Sequence, residues 1–164
     1  MTDLGLMHYF LGIEITQKED GIFISQKKYK ETLLKKIKME GCKIVSTPLD
    51  NNKAFKKEDD SPKAVESKFL SLIGPLLYLT STRPYIMYEV SLLSRFMHDP
   101  SQVHYRVAKR VLRYLQRTKI YGIWCGATHD SQLIGYTNSD WAGSLDDMKS
   151  MAGYAFTIGL GIFS

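Results

Sequence analysis

His104-Tyr-Arg-Val-Ala-Lys-Arg-Val-Leu-Arg-Tyr-Leu-Gln-Arg-Thr118 carries two periodicities at once, and the rest of the chain reads outward from them. Val107, Val111, Tyr114 and Leu115 recur at helical intervals and line one side. Arg106, Arg110, Arg113 and Arg117 recur at spacings of 4, 3 and 4 along another, with Lys109 near the edge. No acidic residue lies between His104 and Lys119, so phosphate oxygens could replace water around several guanidinium groups together. Such contacts hold a backbone without reading bases. An ordinary solvated helix face has the same composition.

Toward the N-terminus, Asp99-Pro100-Ser101 marks a turn and a cap for this helix. A second helix is predicted from Pro84, whose fixed φ suits the first helical position, through Met97. Phe69–Leu79 is apolar and helical in character, with Pro75 expected to kink it or end it near Gly74. Residues 46–65 contain Pro48, Asn51, Asn52, Pro62 and a charged run at 56–60, too polar to bury a core, and read as a linker or long surface loop. A further helix is predicted over Gln26–Met39, with Tyr29, Leu33, Leu34 and Ile37 apolar, Ser25 as cap and Gly41 as stop. Before it, residues 8–16 read as a strand in which Leu11, Ile13 and Ile15 alternate with Gly12 and Glu14. Lys18–Gly21 forms a turn and Ile22–Ser25 returns, giving an antiparallel hairpin.

Beyond Lys119 the pattern becomes β-like, at Tyr121–Cys125, Gln132–Thr137, Gly153–Ile158 and Leu160–Phe163. The fold class expected is α+β: a hairpin and helices, then an incomplete sheet that breaks off at Ser164 as a truncated domain would. The segments are residues 1–47 (hairpin and first helix), 48–65 (linker or loop), 66–120 (helical region) and 121–164 (terminal sheet).

Bulk properties narrow the function only modestly. The 164 residues suffice for one domain or two small ones, and 44% apolar with 24% charged is a globular balance. Net charge is +5, but residues 66–125 hold 9 basic and 3 acidic side chains while residues 126–164 hold 1 and 4. The positive excess is therefore central. Cys42 and Cys125 form no close pair of the zinc or redox kind, which favours a reducing compartment. With neither a leader at Met1 nor an apolar run long enough for a bilayer, the expectation is an intracellular protein, in cytoplasm or nucleus, without a membrane partner.

Tyr136-Thr-Asn-Ser-Asp-Trp-Ala-Gly143 puts Asn138 and Asp140 on alternate positions, hence on one face of a regular strand. Two aspartates there would form part of a magnesium site, because hard cations want converging carboxylates; Asn138 offers only a neutral oxygen. Asp146 and Asp147 follow in a turn, and surface solvation accounts for all three acids equally well. There is no phosphate-binding glycine loop with its lysine and no serine in a nucleophile elbow. His98, His104 and His129 read as structural or solvent-facing.

Many segments in one order resemble the Pol polyproteins of copia-type (Ty1/copia) retrotransposons. They are Met1–Gly5, His8–Glu14, Gly21–Tyr29, Ser46–Leu49, Ser71–Gly74, Leu76–Thr80, Thr82–Pro84, Ser94–Met97, Ala108–Leu115, Gly135–Thr137, Ser139–Gly143, Lys149–Ser150 and Gly153–Tyr154. The resemblance implies the C-terminal part of a reverse transcriptase followed by the start of ribonuclease H. It makes the first hairpin, around Phe10, Leu11 and Gly12, primer-grip-like, and the helices thumb-like or connecting elements against a template–primer duplex. It makes Arg106, Lys109, Arg110, Arg113 and Arg117 contacts to an RNA–DNA or DNA duplex backbone, with the rest of Pol as a further partner. Asn138 then stands where the family usually has its first ribonuclease H aspartate, beside Asp140. The polymerase Tyr-Val-Asp-Asp motif is absent from the sequence. Magnesium belongs to the parent enzyme, and no cofactor or metal-holding residue is expected of this segment. Pro75 and Tyr85 also depart from the family, which commonly has serine and aspartate there. The expected function is thus a non-catalytic remnant that binds template–primer. The alternatives are a structural or protein-interacting remnant and a cryptic metal-dependent nuclease using Asp140 with Asp146 or Asp147.

Overall fold

A computed structural model describes residues 5–49, 60–118, 120–127, 132–139, 152–158 and 161–163. Tyr9–Phe10 (β1) folds back on Ile13–Lys18 (β2) in the register Phe10↔Ile13 and Tyr9↔Glu14. The turn residues Leu11 and Gly12 have φ of 47° and 84°, and a pair of positive values matches the twist of hairpin strands. The single strand expected over residues 8–16 is therefore two strands. Leu11, read as an inward strand position, stands 72% exposed at the tip. Gly21–Ser25 (β3) pairs antiparallel with β2, as the sequence predicts.

Lys27–Lys36 (α1) follows, and Gln26 rather than Ser25 holds its N-cap position. Gln26 makes no cap bond because its buried amide is engaged elsewhere. Nε2 donates to the Tyr78 carbonyl at 3.3 Å and Oε1 accepts from Thr82 Oγ1 at 2.8 Å. The helix also ends earlier than the predicted Met39. Lys38 takes a left-handed φ of 56°, the Met39 N–H donates to the Leu34 carbonyl at 2.8 Å, and the Lys38 N–H donates to that of Lys35 at 3.0 Å. These two bonds are a Schellman ending, closed by burial of Met39 in the core, so Gly41 lies past the stop.

Glu66–Thr80 (α2) continues as one helix through Pro75, so it does not end near Gly74. Two features explain this. Gly74 has no Cβ for the proline ring to strike, and Phe69, Ile73, Leu76 and Leu79 are entirely out of water. At about 1.5–3 kcal/mol per buried side chain, those four outweigh the roughly 3 kcal/mol that an interior proline costs. Pro84–Ile86 then makes one 3-10 turn before Met87–Ser94 (α3), so the helix predicted over 84–97 is shorter and starts tighter. Gln102–Arg117 (α4) is capped by Ser101, whose Oγ accepts from the His104 N–H at 3.3 Å while His104 Nδ1 accepts from the Ser101 N–H at 3.0 Å. His104 is buried and stacked on Phe96 at 3.8 Å, a structural role.

Ile123–Gly126 (β4) pairs antiparallel with β3, completing a four-stranded sheet in the order β1-β2-β3-β4. The strand read as opening the terminal segment is thus hydrogen-bonded to the first hairpin. Close backbone approach makes this possible: a Cβ on Gly21 would collide with the Cys125 carbonyl, and one on Gly122 with that of Ile24. Leu133–Ser139 (β5), Ala152–Ile158 (β6) and Gly161–Phe163 (β7) form a separate antiparallel meander. Residues 50–59 of the predicted linker lie outside the described residues. Its last part is fastened to the start of α4, with Lys63 paired to Asp99 at 2.5 Å and the Ala64 N–H donating to the Pro100 carbonyl at 2.7 Å.

Because Lys38 carries a side chain in a left-handed conformation, Lys38→Gly should raise stability by about 1 kcal/mol. The urea midpoint should increase with the slope unchanged; an unchanged or lower midpoint would show that this conformation costs nothing.

Candidate nucleic-acid interface

The interface begins with what α4 hides. His104, Val107, Ala108, Val111, Leu112 and Leu115 are buried against α2 and α3. At about 100° of rotation per residue, Arg106, Arg113 and Arg117 fall within roughly 40° of one another on the opposite side. All three are exposed. Lys109 and Arg110 flank them and are half-buried. Lys109 Nζ lies 4.7 Å from the centre of the Tyr105 ring, and Arg110 Nη2 donates to Thr47 Oγ1 at 3.1 Å. The five predicted cations thus share one side, but only three are free to move onto a ligand. Among the described residues the ion pairs are Lys35–Glu40 at 3.8 Å and Lys63–Asp99 at 2.5 Å, neither of which uses these cations.

At the C-terminal end of the stripe the fold gathers residues that sequence reading left apart. Arg83 is fully buried, and its Nη1 donates to Tyr85 Oη at 2.8 Å and to the Thr118 carbonyl at 2.9 Å. Tyr85 Oη in turn donates to Thr118 Oγ1 at 3.2 Å. These bonds fasten the start of the 3-10 turn to the end of α4. Tyr85 meets Tyr114 edge-on at 5.9 Å and Tyr121 edge-on at 5.8 Å. Burial raises the pKa of Tyr114, and the neighbouring Tyr85, Tyr121 and Glu89 add to the rise while Arg117 opposes it. Only the fold could reveal this cluster, since 85, 114 and 121 lie on three different segments.

Glu89, on α3, is the acid nearest in effect to this end. Its Oε2 is buried without a hydrogen-bond partner among the described residues. Burial pushes its carboxyl above the usual range, with a backbone hydrogen bond partly opposing. The site's own acid is therefore biased toward its neutral form.

Phe10, Leu11 and Gly12 form the exposed tip of the first hairpin, tied to α2 by Tyr78 Oη donating to the Leu11 carbonyl. Asn138 lies in β5 opposite Gly153, while Asp140, Asp146 and Asp147 lie outside the described residues. No group of three His, Cys, Asp or Glu side chains converges among the described residues.

An uncharacterized mitochondrial protein of Arabidopsis thaliana is 38% identical over the whole chain, which spans 68% of that protein. The Pol polyprotein from transposon RE2 of the same plant is 36% identical over 93% of the chain. That from transposon TNT 1-94 of Nicotiana tabacum is 36% identical over all of it. The chain is homologous, over part of their length, to Pol polyproteins of Ty1/copia retrotransposons. It spans 10% and 13% of those two polyproteins, and the family name covers far more chain than is present here. No protein-family model matches it. No solved structure matches it either.

The raised carboxyl of Glu89 predicts a pH-dependent cost. The native state holds that proton more tightly than the unfolded chain, so the stabilising effect is complete below the unfolded value near 4.3 and is lost as pH rises through the folded value. Glu89→Gln should therefore gain thermal stability relative to the parent as pH goes from about 4 to about 7. A difference in melting temperature that stays constant over that interval would rule out the buried carboxylate as its source.

Proposed function

We propose that this Pol segment grips the sugar-phosphate backbone of nucleic acid with the outer face of α4 and carries no chemistry of its own. The observation behind the proposal is the placement of Arg106, Arg113 and Arg117 on one exposed face with no described acid paired to them. From first to last they span about 16 Å of helix, while each strand of a duplex bears a phosphate roughly every 3.4 Å of axis. Several phosphates can thus be met together. Arginine forks pair two oxygens at once, and each contact releases condensed counterions. By the family resemblance, the ligand is template–primer, the hairpin tip at Phe10–Gly12 is primer-grip-like, and β5–β7 is the opening of a ribonuclease-H-like sheet. The absence of a Tyr-Val-Asp-Asp motif in the sequence and the neutral Asn138 support the non-catalytic reading.

A second contact is favoured by the β5–β6 sheet. Leu133, Tyr154 and Phe156 share one face by register and remain 61%, 61% and 37% exposed. That apolar face suits packing by other parts of Pol, which the long relatives possess.

Binding of a short duplex, followed by fluorescence anisotropy, should weaken steeply between about 50 and about 200 mM salt. Arg106→Ala and Arg113→Ala should each lower the slope of log K against log salt by about 1. Salt-independent binding, or a slope unmoved by both substitutions, would defeat the backbone reading. Addition of magnesium should produce neither cleavage of an RNA–DNA hybrid nor primer extension.

A further inference from the structure

The arginine stripe ends beside two exposed aromatic rings, and this changes the ligand it fits. Tyr121 is 52% exposed and Tyr85 is 37% exposed. They stand edge-to-face at 5.8 Å, with Tyr114 of α4 closing the far side of Tyr85 at 5.9 Å. Arg117 is one helical turn beyond Tyr114 and exposed; Arg113 precedes Tyr114 and is exposed as well. Tyr114, on the same helix as these cations, thus links the end of the stripe to the Tyr85–Tyr121 pair.

Rings held this way are prepared for stacking. Tyr85 is fixed through its hydroxyl, which accepts from Arg83 and donates to Thr118, so its ring loses little freedom on binding. Tyr121 is positioned against that ring. Neither exposed ring is needed to fill the core, which is built from α1 to α4. Glu89 is the carboxylate facing this end, and it is largely buried, which limits its repulsion of a phosphate.

We infer that the Tyr85–Tyr121 edge of the basic face is a stacking platform for an unpaired base, so that the segment prefers single-stranded nucleic acid to duplex. The inference rests on the backbone reading above and, within template–primer, points to the unpaired template strand in place of the paired part. In a duplex the base faces are already stacked on one another and closed to a protein's rings, while phosphates, sugars and base edges remain within reach of guanidinium groups. In a single strand each base has a free face, and a phosphate three or four residues along α4 can be held by Arg113 or Arg117 while a base lies on Tyr121. Stacking of this kind tolerates any base.

The test compares one labelled single-stranded oligonucleotide with the duplex of the same sequence, using the full chain. The parent protein should bind the single strand more tightly. Tyr121→Ala should weaken single-strand binding by about 5-fold to about 100-fold and leave duplex binding unchanged. Tyr121→Phe should restore it, because the ring and not the hydroxyl is used. Arg113→Ala should weaken both ligands. If both ligands bind and respond to Arg113→Ala, but Tyr121→Ala leaves their ratio unchanged, the platform is wrong and the backbone reading survives. If neither ligand binds, both fall together. A half-exposed loop position such as Tyr121 leaves the core intact, and an unchanged urea midpoint checks this.

Discussion

α2 turns one strongly apolar side inward, and α3 and α4 are arranged to cover that side. Phe69, Ile73, Leu76 and Leu79 have no contact with water. That side cannot face water, because each of those side chains would return about 1.5–3 kcal/mol on exposure. α3 and α4 pack on it directly, and Gln26 ties the start of α1 to its C-terminal end through Tyr78 and Thr82. The same demand carries the helix through Pro75. The missing hydrogen bond is a smaller loss than dividing the helix on whose inner side α3 and α4 pack.

The direction of the arginine stripe follows from that packing. α4 has one apolar side, and turning it toward α2 and α3 leaves Arg106, Arg113 and Arg117 no position but the surface. Charge on this face is therefore a consequence of the core as much as of the ligand it is proposed to meet. Polar bonding then sets the ends. The Ser101–His104 box closes the start of α4, and buried Arg83 holds its finish at the Thr118 carbonyl. A helix fixed at both termini presents its outer groups in one arrangement, which reduces the entropy lost when several phosphates are engaged.

Pairing of β4 with β3 joins the end of the helical region to the first hairpin. Glycine is required where these strands approach, at 21 and 122, since any side chain there would strike the facing backbone. One result is that Tyr121 is delivered to the end of α4 by a strand anchored to the opposite end of the sequence. The aromatic edge thus depends on contacts distant in the chain.

Residue order alone determined a good deal: the turn at Lys18–Gly21, the cap at Ser101, the helical register of α4, the shared side of its five cations, and homology to Pol polyproteins through many short matches. These are local properties, fixed by φ preferences, by period and by charge. Tertiary structure decided the remainder. Leu11 leaves the strand because Gly12 makes a turn, Gln26 abandons capping for a buried bond to Tyr78, and Lys38 ends α1 before Gly41 because Met39 is drawn into the core. Pro75 stays helical because burial outweighs its cost. Tyr85, Tyr114 and Tyr121 meet only when three separated segments are brought together, and no periodicity within any one of them encodes that meeting.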